Sequence, residues 1–337
     1  MNNFRAAVVG LGKIGLTYDL EENREHPATH VYGYGMNPDV DLVCAVDNDI
    51  KRADILHGIF PEVRFYSDIK SLQNDGIDIV SICTPPKAHL NNIVEVLETV
   101  YPKIIFCEKP LVFDTGEIQK LAELMGKYPK CRLIPNISRR FNTGLQDVAR
   151  YIRKKIYGEL EKIHVRYTRG IYNTGSHLFD LLYMWTGKRI SYVNALQKVC
   201  TSSENEGENS YSFFFCYEDG VTGYAEAIND KHYYVFEIDL FFTNGKISMK
   251  DSGDKLLFYN VQPHHAFQGF KELFLEKTHT DIMKESCMAN AINNIVRVLE
   301  DNEEPLCKME DAVYPLYVAE AVESSYNEKR EVKVTYL

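Results

Sequence analysis

Ala6-Ala7-Val8-Val9-Gly10-Leu11-Gly12-Lys13-Ile14-Gly15 decides the fold. A short apolar run ends in Gly-x-Gly-x-x-Gly, which reads as a buried parallel strand followed by a tight turn. Gly10 permits the turn, Gly12 lets a pyrophosphate approach the backbone, and Gly15 lets the next element pack close to the strand. Lys13 and Ile14 lie inside the same loop and belong to the same expected cofactor site. The strand before the glycines raises the motif above an ordinary glycine turn.

The ordinary helix after Gly15 is delayed. Leu16 to Pro27 is polar and acidic and reads as an insertion, either a cover over the site or a plain surface loop. Thr29 is placed to N-cap a helix from His30 to Met36. Asp41 to Val46 is the second strand, closed by Asp47, whose carboxylate can hydrogen-bond both hydroxyls of an adenosine ribose. Gly15 and Asp47 are 32 positions apart, against about 20 in the usual motif; the insertion accounts for most of the excess. A carboxylate there repels a 2′-phosphate, so NAD is expected over NADP. Lys51 and Arg52 keep NADP open.

Further along, Asp78 to Cys83 is a strand running into Thr84-Pro85-Pro86, and His89 to Thr99 its helix. Lys103 to Cys107 is the next strand, running into Glu108-Lys109-Pro110. Pro110 keeps Lys109 out of the helical region, at the strand end where open α/β sheets bind ligands. Glu117 to Lys127 is helical and Cys131 to Asn136 a strand. Strands alternating with helices predict a doubly wound parallel sheet, a Rossmann domain over 1–137.

The pattern then changes. Gln146 to Lys155 reads as a helix, Leu160 to Thr168 as a strand, and a helix carrying His177 and Asp180 reaches Trp185. Strands follow at Tyr192–Val199, Tyr211–Tyr217, Val221–Ile228, Tyr234–Phe242, Lys246–Met249 and Leu256–Tyr259, with hairpin links at Glu218-Asp219-Gly220 and Thr243-Asn244-Gly245. Helices at Ser286–Glu300 and Met309–Ser325 and a strand near Glu331–Thr335 close the chain. Residues 138–337 thus form an α+β domain with an open, mostly antiparallel sheet. The aromatic residues Phe213, Phe215, Phe236 and Phe241 are expected on an open face that a second copy covers, giving a homodimer or homotetramer. Ser202 to Glu208 is an acidic exposed loop.

Composition narrows the function. The chain has 337 residues, 45% of them hydrophobic, and a formal net charge of −10. No Lys/Arg-rich block suggests nucleic acid. No apolar run approaches the roughly 20 residues of a membrane span, and Met1-Asn2-Asn3-Phe4-Arg5 has no signal-like apolar core, so a cytoplasmic protein is expected. Eight scattered cysteines, none in C-x-x-C, read as reduced thiols. No metal site is expected, and His264-His265 reads as a surface pair.

Lys109 and His177 are the candidate catalytic pair. Oxidising an alcohol requires a hydride acceptor and a group that takes the O–H proton. Histidine does this near neutral pH; lysine does so when burial or a nearby cation lowers its pKa. Asn173 and His177, four apart, fall on one helix face, and Asp180 can orient the imidazole. His177 reads equally well as a core histidine.

The chain resembles the Gfo/Idh/MocA oxidoreductases. The matching stretches are Gly10–Gly15, Thr84-Pro85-Pro86-Lys87-Ala88-His89, Glu108-Lys109-Pro110, Ser138-Arg139-Arg140-Phe141 and Gly175-Ser176-His177-Leu178-Phe179-Asp180, in order from end to end. The resemblance implies bound NAD(P) and a sugar, cyclitol or nucleotide-sugar substrate whose secondary hydroxyl exchanges a hydride with nicotinamide. It implies that Thr84, Pro85, His89, Glu108 and Lys109 contact the cofactor. Lys109 also binds substrate and assists proton transfer, His177 is the acid/base, and Asn173, Asp180 and Arg140 are substrate-binding. Two departures stand out: many members have Asp where this chain has Asn173, which cannot relay a proton, and the insertion at 16–27. A redox-neutral enzyme holding NAD tightly and a cofactor-binding sensor remain alternatives, though retention of Lys109 and His177 weighs against the sensor.

Overall fold

The computed structural model describes residues 3–22, 25–201 and 208–336. Packing divides the chain into two units: 1–141 with 286–313, and 142–285 with 314–337.

The first unit holds the parallel sheet. Its strands are β1 (Phe4–Val9), β2 (Val40–Val46), β3 (Arg64–Tyr66), β4 (Ile79–Ile82), β5 (Ile104–Glu108) and β6 (Arg132–Asn136), in the order β3-β2-β1-β4-β5-β6. All five pairings are parallel. The order reverses between β1 and β4, which opens a crevice at their carboxyl ends. Helices α1 (His30–Gly35), α2 (Lys51–His57), α3 (His89–Thr99) and α4 (Gly116–Lys127) connect the strands. Buried on both faces, the strands need continuous apolar runs; Ala6, Ala7, Val8, Ile79, Ile104 and Phe106 are all fully buried.

The second unit begins with α5 (Thr143–Arg153), then β7 (Leu160–Tyr167) and α6 (Gly175–Thr186). Its strands continue as β8 (Ile190–Cys200), β9 (Asn209–Tyr217), β10 (Thr222–Ala227), β11 (Phe236–Phe242), β12 (Gly245–Lys250), β13 (Lys255–Pro263), β14 (Lys271–His279) and β15 (Val332–Lys333). They form one nine-stranded sheet, β14-β13-β12-β11-β7-β10-β9-β8-β15. Only β7 and β10 pair in parallel. The acidic loop expected from Ser202 lies outside the described residues up to 207.

Alternation places the aromatics differently from the expectation. Phe213, Phe215 and Phe236 are buried in the core, and Phe241 is half-buried. With a two-residue period, the opposite parity faces outward: Phe214 is 51% and Leu196 53% exposed.

The last helices are α7 (Cys287–Leu299) and α8 (Met309–Glu328). Sequence order assigned α7 to the second domain, but it packs in the first unit. Its buried stripe Met288, Ala291, Ile292, Ile295 and Val298 joins the cluster containing Ala6, Val31, Tyr34 and Phe106. An apolar stripe shows that a helix is buried, not against which partner.

Candidate active site

The glycine loop fits its expected roles. Gly10 has φ +94°, and a Cβ there would lie 2.8 Å from the Cys83 carbonyl carbon. A Cβ at Gly15 would lie 2.0 Å from the Gly10 carbonyl oxygen. At Gly12 a Cβ would meet nothing within 4 Å, so this glycine borders open space that a ligand can enter. The loop forms one wall of a cleft of about 690 Å³. Gly10, Gly12, Lys13, Ile14, Asp47, Thr84 and Pro85, all expected at the site, line that cleft.

Asp47 closes β2 beside the loop. One carboxylate oxygen accepts the Leu11 N–H at 2.6 Å and the other the Asp49 N–H at 2.9 Å. Asp68 and Glu95 add further carboxylates to the lining, while Arg52 reaches Asp49 at 3.8 Å. Cys83 also lines the cleft; burial, then the charges of Glu108 and Cys107, pushes its thiol well above the usual range, which keeps it from acting as a nucleophile.

The insertion is built into the first helix. The N–H groups of His30 and Val31 bond to the carbonyls of Ile14 and Gly15, at 3.2 and 3.0 Å. The helical turn begun at the loop therefore resumes at α1, with the described residues 16–22 and 25–29 extruded between. Tyr18 lines the cleft. Asp19 is buried and its carboxylate accepts the N–H groups of Ala28 and Thr29, both at 2.8 Å, and the Thr29 hydroxyl. Thr29 caps α1 as expected.

Two expected cofactor contacts do other work. His89 is fully buried, with its ring nitrogens 2.8 Å from the carbonyl oxygens of Pro110 and Thr84. It is a strut between two strand ends rather than part of the cleft lining, which a buried ring cannot be. Glu108 is tied inward: Oε1 accepts from Asn136 Nδ2 at 2.6 Å and contacts His30 Nε2 at 2.9 Å. Lys109 follows, half-buried, its N–H 3.3 Å from Glu108 Oε2 and its peptide bond to Pro110 cis. Arg140, expected to bind substrate, is buried and paired with Asp311 at 3.1 Å. That ion pair fastens the first turn of α8, since the same Asp311 oxygen accepts the Lys308 N–H.

In the second unit, residues Gly170–Thr174 form a π-helical turn that runs straight into α6. Asn173 lies in the π turn and His177 in the first turn of α6, so their shared-face spacing crosses a change of helix type. Both are half-buried, and Asp180 is fully buried three residues on. Sequence reasoning missed Glu208, whose carboxylate accepts the Asn173 N–H at 2.6 Å. A Cβ at Gly170 would lie 2.2 Å from that carboxyl group, so the glycine makes room for it. His30 was missed too; a polar residue directly after a capping Thr, on a face shared with Tyr34, was its only signal.

Residues 4–135 match the Gfo/Idh/MocA family model, an oxidoreductase family with an NAD-binding Rossmann fold. Over those residues the chain is similar to that family. Inositol 2-dehydrogenase 1 of Paenarthrobacter aurescens is 26% identical over 285 residues, covering 80% of this chain and 81% of that one. Myo-inositol 2-dehydrogenase of Thermotoga maritima is 20% identical over an alignment of 349 positions, covering 98% of each. The structure of the WlbA dehydrogenase from Bordetella pertussis, in complex with NADH and UDP-GlcNAcA, matches with a TM-score of 0.80 at 16% identity. It covers 100% of this chain and 99% of that one and shows the shared fold. The cleft suits a dinucleotide: the Gly12 wall is open, and Asp47 presents a carboxylate beside it.

Among the described residues, His264, His265 and Glu272 are the one cluster with metal-ligand chemistry. The geometry opposes chelation. His264 Nδ1 accepts the N–H groups of Ala266 and Phe267, so Nε2 carries the hydrogen. The two imidazole rings stack at 17°.

Proposed function

We propose that the chain is an NAD-dependent dehydrogenase that oxidises a secondary hydroxyl of a cyclitol or sugar to a ketone. The carrying observation is the cleft: an open Gly12 wall, with Asp47 fixed beside it and the Glu108-Lys109 strand end in the same unit. The names of the curated relatives favour an inositol-like cyclitol as substrate.

NAD, when bound, supplies the hydride acceptor. Asp47 accepts the ribose hydroxyls, and with Asp68 and Glu95 it makes the cleft hostile to a 2′-phosphate. Lys109 Nζ holds the reacting hydroxyl and assists removal of its proton. The His177 ring receives that proton as the C–H hydride departs, a role worth about 10²–10⁴ in rate. Asn173 orients a neighbouring hydroxyl through its amide, and Asp180 orients the imidazole. Pro85 and Thr84 form the cleft wall that His89 braces from behind.

A homodimer or homotetramer joined through the outward face of the nine-stranded sheet fits the exposed Tyr192, Leu196 and Phe214. A cytoplasmic setting fits eight free cysteines, five of them buried. No helix among the described residues is long and apolar enough to cross a membrane. The test is absorbance of NADH across a panel of inositols and sugars. Stoichiometric NADH and ketone support the reading; turnover without net NADH makes the chain a redox-neutral enzyme instead.

A further inference from the structure

We propose that His30 is a positioning residue for Lys109, acting through the Glu108 carboxylate. The inference rests on the dehydrogenase reading for what Lys109 does, but its geometry stands in the first unit alone.

His30 is fully buried, its ring centroid 4.7 Å from that of Phe106. Its Nε2 is 2.9 Å from Glu108 Oε1 and its Nδ1 2.8 Å from Ser81 Oγ. Ser81 Oγ is in turn 2.7 Å from the Tyr34 hydroxyl. With the Glu108 carboxylate ionised and the imidazole neutral, these contacts take one direction of donation. The Glu108 carboxylate accepts only, so Nε2 carries the hydrogen. Nδ1 then accepts from the Ser81 hydroxyl, and the Ser81 oxygen accepts from the Tyr34 phenol. Burial pushes the Tyr34 phenol up, which keeps it a donor. Every member is satisfied with a neutral imidazole.

Apolar side chains could fill this space without the cost of burying polar groups. What the polar chain adds is direction. With His30 and Asn136 both donating to Oε1, Glu108 cannot rotate without losing two bonds. Its Oε2 therefore stays on the Lys109 N–H side. The lysine leaves the end of β5 at a set angle. The insertion enters the same chain of cause, because Asp19 grips Ala28 and Thr29 immediately before His30. A positioning role predicts that the donor matters more than the ring.

The experiment compares His30→Leu with His30→Gln, whose amide keeps an N–H toward Glu108. Two readouts are taken on the full chain. The first is acylation of Lys109 by an amine-reactive ester, relative to Lys87, by peptide mass spectrometry. The second is kcat and KM for cyclitol oxidation, with NAD affinity by calorimetry. The expected result is altered Lys109 labelling in His30→Leu and a fall in kcat of about tenfold or more, the scale of a sub-ångström misplacement. NAD affinity changes far less, and His30→Gln recovers both readouts. Unaltered Lys109 labelling in a folded His30→Leu protein overturns the proposal, as does a His30→Gln protein as impaired as His30→Leu. Should His30→Leu fail to fold, Ser81→Ala removes the Nδ1 partner, and the same two outcomes decide. Labelling needs no turnover, so absence of any cyclitol or sugar oxidation would refute the dehydrogenase reading while leaving the positioning claim tested.

Discussion

Asp47 Oδ2 accepts the Leu11 N–H at 2.6 Å, which locks the carboxylate of one strand end to the glycine loop of another. In the proposed reading this fixes the ribose-binding carboxylate relative to the pyrophosphate loop. NAD is expected to bind tighter than NADP, and Asp47→Ala is expected to narrow the difference by removing the repulsion and a charge-assisted acceptor. Calorimetric titration checks this; an unmutated protein that prefers NADP refutes it.

The insertion is expected to act as a clasp on α1. Asp19→Ala leaves the Ala28 and Thr29 N–H groups without their acceptor, a cost of about 1–3 kcal/mol. Scanning calorimetry should show the Tm of the first unit lowered. An unchanged Tm would mean that residues 16–27 are a tolerated surface loop.

Acid sensitivity should have a component from Asp239. Burial alone would raise its pKa, but hydrogen bonds from Ser248 and Lys246 and the charges of Lys246 and Lys250 outweigh that and lower it. Arg166 adds a bond at 2.9 Å. A depressed carboxylate contributes stability that is present above the ordinary Asp value, about 3.9, and is lost as pH falls through the folded value. The Tm gap between the unmutated chain and Asp239→Asn should therefore be largest near neutrality and shrink below about pH 4. A gap independent of pH would show that charge is not its source.

The outward face of the second sheet should carry the assembly. Leu196→Asp and Phe214→Asp are each expected to shift sedimentation toward monomer, because a buried unpaired charge is costly. Unmutated protein that sediments as a monomer at micromolar concentration rules the interface out.

Much of the fold was legible because burial and period coincide. The runs at Ala6–Val9 and Ile104–Cys107 are apolar at every position, and Ile79–Ile82 at all but Ser81, as a sheet covered on both faces requires. β3 was missed because three residues carry no period, and β14 because Lys271–His279 is an exposed edge strand with charges on both parities. Parity showed that Phe213 and Phe215 share a face; it could not say which face was covered. Local rules placed Gly10, Gly12 and Asp47 at the cleft that they line. The partners of Arg140 and His89, Asp311 and the Pro110 and Thr84 carbonyls, were not legible because they are distant or backbone. His30 was hidden by the insertion, which separates it from the glycine motif it packs against.

The central claim, hydride transfer assisted by Lys109 and His177, is tested most directly by single-turnover NADH formation. Enzyme loaded with NAD⁺ is mixed with myo-inositol, or the panel compound that turns over, and followed by stopped-flow absorbance. Lys109→Ala and His177→Ala should each slow the burst by at least about 10², with NAD affinity changed little in His177→Ala. Asn173→Ala should mainly weaken substrate binding, and Asn173→Asp should raise the rate or broaden the substrates accepted. A folded His177→Ala protein that forms NADH at the unmutated rate would make His177 a core histidine and contradict the mechanism.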